Sequence, residues 1–518
     1  MTLPPTPAAP PSATFRRELD RSLVRGIAWT GGAKWLTQTL RWASTLLIAR
    51  LLTPADYGLV GYATVYLGLV SMVSEFGLGA AIVQQRDLGE RQIARLGGVS
   101  VLLGAALAAL TVAMSWPVAS FFGEPRVQLV LAVLGVMFLV RGIRVVPRSL
   151  LNRDLRFRHL AWVDGTEAVT LTLTTLVLAY LGFGYWSLVW GSVAGAVAGT
   201  VVAVAWAHHR IAWPGRLRGL RASVAFGWHV SASRVLWYVY SNADFVVVGR
   251  MLGTAALGAY SFAWTIANIP VERVSAVVGR VTLPVFANVQ RDHASLRRYF
   301  LMLTEGLAII TFPVAIGLAL VAREFVLVVL GPQWSAAVLP MALLVGYSGF
   351  RSITLLFPQI LVAMGQARRN VQFNLIAALI LPILFVIGAM LGGTVGVALA
   401  WIVGFPIVYV PFFMRHTFRT IELRVGQYLR ALWPALSGTL AMAAVVVGIK
   451  VFVPDAAFAA MVGGTAVSAT GAADTGAMAA RLAVEAVAGT VTYVAVLGLA
   501  HRVRVLAFMS AFRLLAKR

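Results

Sequence analysis

Fourteen apolar stretches succeed one another along this chain, most of them about 20 residues or longer, each parted from the next by a turn or a short connection. A helix rises about 1.5 Å per residue, so each stretch can cross the roughly 30 Å of hydrocarbon in a bilayer. Strands of a β-barrel would be shorter and would alternate in polarity. The pattern therefore predicts an all-α polytopic membrane protein. Its helices fall near residues 27–52, 58–83, 94–120, 126–146, 160–181 and 184–207, then 223–251, 255–287, 299–330, 336–363, 371–391 and 393–414, and finally 430–453 and 481–500.

The chain is 59% hydrophobic and only 12% charged, which excludes a string of soluble domains. A net charge of +24 would suggest nucleic acid as a partner of a soluble protein. Here most of the 43 Lys and Arg residues sit in connections on one side of the predicted helices. That is the positive-inside pattern; it places both termini in the cytoplasm and removes nucleic acid from consideration. The chain then divides into a Pro-rich cytoplasmic tail (1–25), a first lobe (26–207), a basic linker (208–222) and a second lobe (223–414). A closing helix pair (415–500), with a nearly uncharged, flexible outer loop at 454–480, precedes a basic cytoplasmic tail (501–518).

The two lobes carry a faint duplication. "LLIARLLTPADYGLVGYA" from Leu46 returns as "VVVGRMLGTAALGAYSFA" from Val246, with Arg50 over Arg250, Leu52 over Leu252, Ala55 over Ala255, Gly58 over Gly258 and Ala63 over Ala263. Upstream, Leu36 matches Leu236, Ala43 matches Ala243, and Lys34 lies over Arg234. A lobe of six helices returns the chain to its starting side, so the copies run parallel, with a central cavity between them.

Charges inside a span cost about 2.5–3.5 kcal/mol each on insertion scales, so they face a cavity or a partner. The basic set is Lys34, Arg41, Arg234, Arg273 and Arg351, which would bind an anionic substrate by charge-assisted hydrogen bonds. Glu75, Asp164, Glu167, Asp244 and Glu272 are candidates for balancing that charge or coupling transport to an ion, and Glu305 is a further acid within a predicted span. For Asp164, Glu167, Asp244 and Glu272 the preferred reading is structural, as ion pairs that fix helix register. Arg50 and Arg250 close the predicted ends of the first and seventh helices, where snorkelling suffices. Trp35, Trp42, Trp237 and Tyr238 are candidate stacking surfaces for sugars, lipid-facing or packing roles being the commoner use of such aromatics. Gly191, Gly195 and Gly199 form a small-residue ridge for close helix packing, and Pro270, Pro284 and Pro313 mark bends, either hinges of a moving lobe or static kinks.

Cysteine is absent, only three lysines occur, and no phosphate-binding loop or metal-spaced motif is present. No cofactor, metal or catalytic residue is expected, while coupling to protons or sodium stays open. His208 and His209 sit in a basic loop where a solvated pair is the default reading.

Several pieces together resemble a known family: "ARLLTPADYGLVGYA", "VPRSLLNRDLRFRHLAWVD", "GFGYWSLVWG", "GRMLGTAALGAYSFA", "LPVFANVQRD" and "LGPQWSAAVLP". They are similar to the Wzx-like oligosaccharide flippases, the polysaccharide transporter branch of the multidrug/oligosaccharidyl-lipid/polysaccharide (MOP) exporter superfamily. The resemblance implies a MATE/MOP-like fold of two six-helix lobes around a cationic cavity, plus two extra C-terminal helices. It implies a polyprenyl-pyrophosphate-linked oligosaccharide as substrate, flipped across a bacterial inner membrane by alternating access for surface or exopolysaccharide biosynthesis. A polysaccharide polymerase and a chain-length regulator are the protein partners in such a system. Basic residues on the first and eighth helices, here Lys34, Arg41 and Arg273, are the implied site. Two alternatives stay open. A multidrug cation antiporter of the same superfamily would present carboxylates in its lobes. A membrane polysaccharide polymerase or ligase would need catalytic groups in its longest outer loop, whose acids are Asp455 and Asp474.

Overall fold

The computed structural model describes residues 44–74, 79, 82–83, 88–207, 209, 211–213, 221–462, 475–502 and 504, with 73–74, 221–236, 270–281, 283 and 367 described by backbone alone. Among these residues every regular element is helical. In order they are residues 44–51 (α1), Pro54–Ser74 (α2), Glu90–Phe122 (α3), Arg126–Arg153 (α4), Phe157–Tyr180 (α5), Tyr185–Trp206 (α6), Arg221–Leu252 (α7) and Thr254–Asn288 (α8). Then follow His293–Leu320 (α9), Val338–Thr354 (α10), Leu356–Ala363 (α11), Ala367–Tyr409 (α12), Val425–Phe452 (α13), Asp455–Val462 (α14) and Thr475–Ala500 (α15). Among the described residues, eight stretches are long and apolar enough to cross a bilayer, which makes this a multi-pass membrane protein. α12 is two legs in one: Gly392 and Gly393 leave helical geometry, Gly393 at φ +56, and the legs meet where a Cβ on Gly388 would stand 2.4 Å from the Gly396 carbonyl oxygen.

Two compact units are present. The first takes in the described residues of Met1–Leu51, Val70–Val118 and Pro125–Ser231; the second those of Leu52–Leu69, Ala119–Glu124 and Ala232–Arg518. The start of α2 thus groups with the second half of the chain, which the division at 26–207 and 223–414 does not anticipate.

In the first unit the predicted glycine ridge packs α6 on α5: a Cβ on Gly191 would meet the Thr175 hydroxyl at 1.9 Å, and one on Gly195 the Leu171 Cβ at 2.8 Å. Ser100 donates its hydroxyl to the Gly142 carbonyl at 2.7 Å, joining α3 to α4. His209 departs from its expected solvated state. It is half-buried against Gly97, and burial pushes its imidazole below the usual value. His208 lies outside the described residues.

In the second unit the two matching stretches of sequence pack against each other. The first turns of α2 and α8 cross each other at Gly58 and Gly258. A Cβ on Gly58 would lie 1.9 Å from the Thr254 carbonyl oxygen, and one on Gly258 would lie 1.7 Å from that of Pro54. Each glycine sits four positions after the residue its counterpart touches, so the contact is self-complementary, as in a two-fold dimer interface. The two helix starts reach the same geometry by different chemistry. Thr53 and Asp56 form a capping box around Pro54: the Thr53 amide donates to Asp56 at 2.9 Å, its hydroxyl at 2.7 Å, and the Asp56 amide donates back to the hydroxyl at 3.3 Å. At α8 a glycine, Gly253 at φ +86, makes the turn instead. Tyr62 donates to the Gly249 carbonyl at 3.0 Å and Tyr238 to that of Val65 at 2.9 Å, which fixes the crossing. Fully buried Trp334 closes it, its ring 5.3 Å from Tyr57 and 4.7 Å from Phe262.

Prolines set the second constraint. A proline cannot donate to the carbonyl four residues before it, and in a bilayer that carbonyl needs another partner. Pro313 frees Ile309, whose oxygen takes the Tyr493 hydroxyl of α15 at 2.7 Å. Pro358 frees Thr354, and Tyr409 donates there at 2.6 Å. Pro434 frees Arg430, which Arg504 caps at 2.8 Å. The bend foreseen at Pro313 is thus held by a hydroxyl from another helix. Tyr493→Phe keeps the ring and removes the donor; a loss of about 1–3 kcal/mol is expected in thermal unfolding of the detergent-solubilised protein. An unchanged melting temperature would show that the carbonyl finds another donor.

Part of the stretch 454–480, expected to be a flexible loop, is helical, while 463–474 lie outside the described residues. Asp455–Val462 is a helix, and α15 begins at Thr475. Phe458 and Ala459 are buried together with Ala477, so the apolar residues that look like linker filling in the sequence form a small core of their own.

Candidate substrate cavity

Within the second unit, α7, α8, α10, α11 and α12 enclose a cavity of about 300 Å³. Its volume lies at the lower end of the range for ligand pockets, about 300–1,000 Å³. One wall is an aromatic stripe at every fourth residue of the second leg of α12 and the turn after it: Trp401, Phe405, Tyr409 and Phe413. Adjacent rings stack, with Phe405 5.1 Å from Tyr409 and Tyr409 5.2 Å from Phe413. Trp264 of α8 and Tyr347 of α10 complete the platform, 5.2 and 5.1 Å from Trp401.

Arg351 is the one charged side chain among the described lining residues. It sits on α10, where its Nη1 donates to Asn268 Oδ1 at 2.7 Å while the guanidinium lies 5.8 Å from the Trp264 ring centroid. Asn268 follows Trp264 by four residues, so one face of α8 supplies both the hydrogen bond and the ring. Asn370, Asn374 and Ser241 add neutral polar groups. Trp237 also lines the cavity and is 40% exposed, whereas the Tyr238 hydroxyl is spent on the Val65 carbonyl.

The predicted acids go elsewhere. Asp244 is fully buried behind the aromatic wall, accepting from the Tyr260 hydroxyl at 2.9 Å, the Trp401 indole at 2.8 Å and the Phe245 amide at 3.0 Å. These bonds pin α7, α8 and α12 together and give a buried carboxylate the donors it needs. In the first unit Asp164 faces Arg148 at 2.5 Å, half-exposed, and Glu167 pairs with Arg144 in a more shielded position. Glu305 lies 3.9 Å from Arg504. Arg234 is placed on α7, and Glu272 and Arg273 on α8, by their backbones. Lys34, Trp35, Arg41, Trp42 and Glu75 lie outside the described residues. Outside the spans, Asp292 caps α9; hydrogen bonds from Ser295 and Ala294 hold its carboxyl below the usual value.

The sequence reading missed the aromatic platform, although the stripe from Trp401 to Phe413 was present as a four-residue period. It also missed a second charged cluster. Lys450 reaches Glu324 at 2.5 Å and Glu485 at 3.3 Å; Arg481 reaches Glu485 at 3.0 Å and also pairs with Asp455. The spacing of Arg481 and Glu485 was its legible sign.

Known proteins resemble this chain along much of its length. Residues 47–339 match the family described as polysaccharide biosynthesis protein. The chain is 24% identical over 425 residues to the lipopolysaccharide biosynthesis protein WzxC of Escherichia coli (strain K12), covering 80% of this chain and 85% of that one. It is 26% identical over 332 residues to the teichuronic acid biosynthesis protein TuaB of Bacillus subtilis (strain 168), covering 62% and 67%. In fold it is similar to the lipid II flippase MurJ in an inward closed conformation, with a TM-score of 0.70 at 14% identity, over 91% of this chain and 98% of that one. With more than half of its length inside the family match, this multi-pass membrane protein belongs to the polysaccharide biosynthesis protein family.

Proposed function

We propose that the chain is a flippase that carries polyprenyl-pyrophosphate-linked oligosaccharide from the cytoplasmic to the outer leaflet of a bacterial inner membrane, by alternating access and without a covalent step. The observation that carries this reading is the cavity with a single arginine and an aromatic wall. A guanidinium binds phosphate or carboxylate oxygens, and rings stack on sugar faces. The names of WzxC and TuaB attach those relatives to polysaccharide biosynthesis, and MurJ is a lipid flippase by name. Lys34, Arg41, Arg234 and Arg273 are the further basic residues proposed to meet the anionic groups of the substrate. Glu75 and Glu272 would balance that basic set, and both termini would lie in the cytoplasm. A pyrophosphate with about two negative charges leaving an inside-negative cell gains up to about 2.3 kcal/mol per charge per 100 mV, which favours the outward direction.

The antiporter reading asks for a carboxylate open to the cavity, and Asp244 is instead walled off and fully hydrogen-bonded. The test is reconstitution in liposomes with a fluorescent polyprenyl-pyrophosphate oligosaccharide, following accessibility to an impermeant quencher. Arg351→Glu is expected to slow flipping about 10- to 100-fold, the loss of one charge-assisted contact. Lys34→Glu and Arg41→Glu are expected to abolish export while expression persists. Saturable uptake of cationic dyes with no affinity for lipid pyrophosphates would replace this reading with the antiporter.

A further inference from the structure

Arg351 carries a charge that no described residue cancels. An arginine that only ties helices together inside a membrane protein is ordinarily paired with a carboxylate, as Arg144 is with Glu167. Arg351 is held by a neutral amide instead, and that amide is fixed at both ends: Asn268 Nδ2 donates to the Trp264 carbonyl at 3.0 Å, and its Oδ1 accepts from Arg351 Nη1 at 2.7 Å. Among the described residues no acid lines the cavity, and the Arg351 Nε and Nη2 find no acceptor. The anion that belongs on this guanidinium therefore comes with the ligand.

The rest of the lining narrows what that ligand is. Trp401 gives its indole N–H to Asp244 behind the wall at 2.8 Å, and Tyr409 gives its hydroxyl to the Thr354 carbonyl at 2.6 Å. What these two rings offer a ligand is surface without a donor, which suits the C–H face of a pyranose. Asn370 adds an acceptor. Its Nδ2 donates to the Pro358 carbonyl at 3.3 Å, which leaves a buried Oδ1 with no donor among the described residues; a ring hydroxyl would supply one. At about 30 Å³ per water, a volume of about 300 Å³ holds roughly ten water-sized groups, close to one sugar ring and far short of an oligosaccharide.

We propose that this cavity is a subsite for an acidic sugar. A pyranose of the transported glycan lies on the aromatic wall, with its carboxylate on Nε and Nη2 of Arg351 and a hydroxyl on Asn370. The carboxylate brings the single negative charge that the arginine lacks, and its two oxygens match the paired N–H groups of that edge. The diphosphate of a lipid-linked glycan carries more charge than one guanidinium balances and is the poorer fit. The source of the sugar rests on the flippase reading of the same site; the preference for a carboxylate rests on the lining alone.

The test is ligand-observed NMR titration of the full-length protein in detergent with methyl glucuronide, its neutral methyl ester and glucose 6-phosphate. The glucuronide is expected to bind about ten-fold or more tighter than the ester, the difference that one charge-assisted contact makes, and tighter than the sugar phosphate. Arg351→Gln is expected to erase that preference while weak binding of both sugars persists, and Phe405→Leu to weaken glucuronide and ester alike. If Arg351→Gln does not fold, Arg351→Lys replaces it: the charge stays, the bidentate edge goes, and most of the preference should go with it. Equal binding of glucuronide and ester, no binding of the glucuronide, tighter binding of the phosphate, or a preference that persists in full in the Arg351 variant overturns the proposal. Flipping is read separately in liposomes. Transport of a lipid-linked glycan without the carboxylate preference keeps the flippase and removes the acidic-sugar subsite, and the preference without transport does the reverse.

Discussion

Alanine at Gly58 or at Gly258 is expected to destabilise the protein by about 3 kcal/mol or more, the upper end of what overpacking costs. The added carbon would sit 1.9 or 1.7 Å from a carbonyl oxygen of the opposing helix. Those oxygens belong to backbone at the first residue of a helix, so no side chain can swing aside, and two capped helix starts must separate. The control is Gly346→Ala in α10, where a Cβ meets nothing within 4 Å. There the same change removes backbone freedom from the unfolded chain and is expected to be neutral, or stabilising by about 0.5–1 kcal/mol. Thermal unfolding followed by tryptophan fluorescence compares the variants directly. The double variant should cost less than the two single losses added, because one separation of α2 from α8 relieves both clashes. If Gly58→Ala melted together with Gly346→Ala, the crossing would not be a rigid joint.

Lys450→Met is expected to cost about 3–5 kcal/mol, the penalty for stranding buried charge. The methionine fills a similar volume, but Glu324 and Glu485 then share a site with Arg481 as the one remaining cation. One feature separates this from ordinary loss of packing. Adding Glu324→Gln to Lys450→Met should recover a large part of the deficit. No recovery in the double variant would mean that Lys450 acts through its hydrocarbon stem alone.

How much of this was legible in the sequence follows from the physics of each feature. Apolar length reports on bilayer crossing directly, so the helical membrane class was readable. The duplication was readable as identities, yet its purpose was not: Gly58 and Gly258 declare themselves only when each is found against the other's helix start. Arg351 could be picked as a charge in a span. Its partners Asn268 and Trp264 lie on a different helix, and pairing across helices is not written in periodicity. Asp244 was visible as a buried acid, but its three donors come from three separate stretches. The Trp401-to-Phe413 stripe did carry a sign, a four-residue aromatic period, easily taken for lipid-facing filler in so apolar a chain. Glu324 and Glu485 sit in weakly polar helices 161 positions apart by number, and only folding brings them to one lysine.

The tyrosine that satisfies the Ile309 carbonyl has a consequence for how the molecule is built. α9 enters the bilayer long before Tyr493 has been synthesised, so during that interval the bend at Pro313 holds a carbonyl without its final partner. The same interval leaves Glu485 and Arg481 missing from around Glu324. The last helix is therefore the piece that completes an unfinished neighbour. A chain cut before α15 should behave as an assembly intermediate, open to quality-control proteases at α9, and the separately expressed helix should be able to complete it in trans.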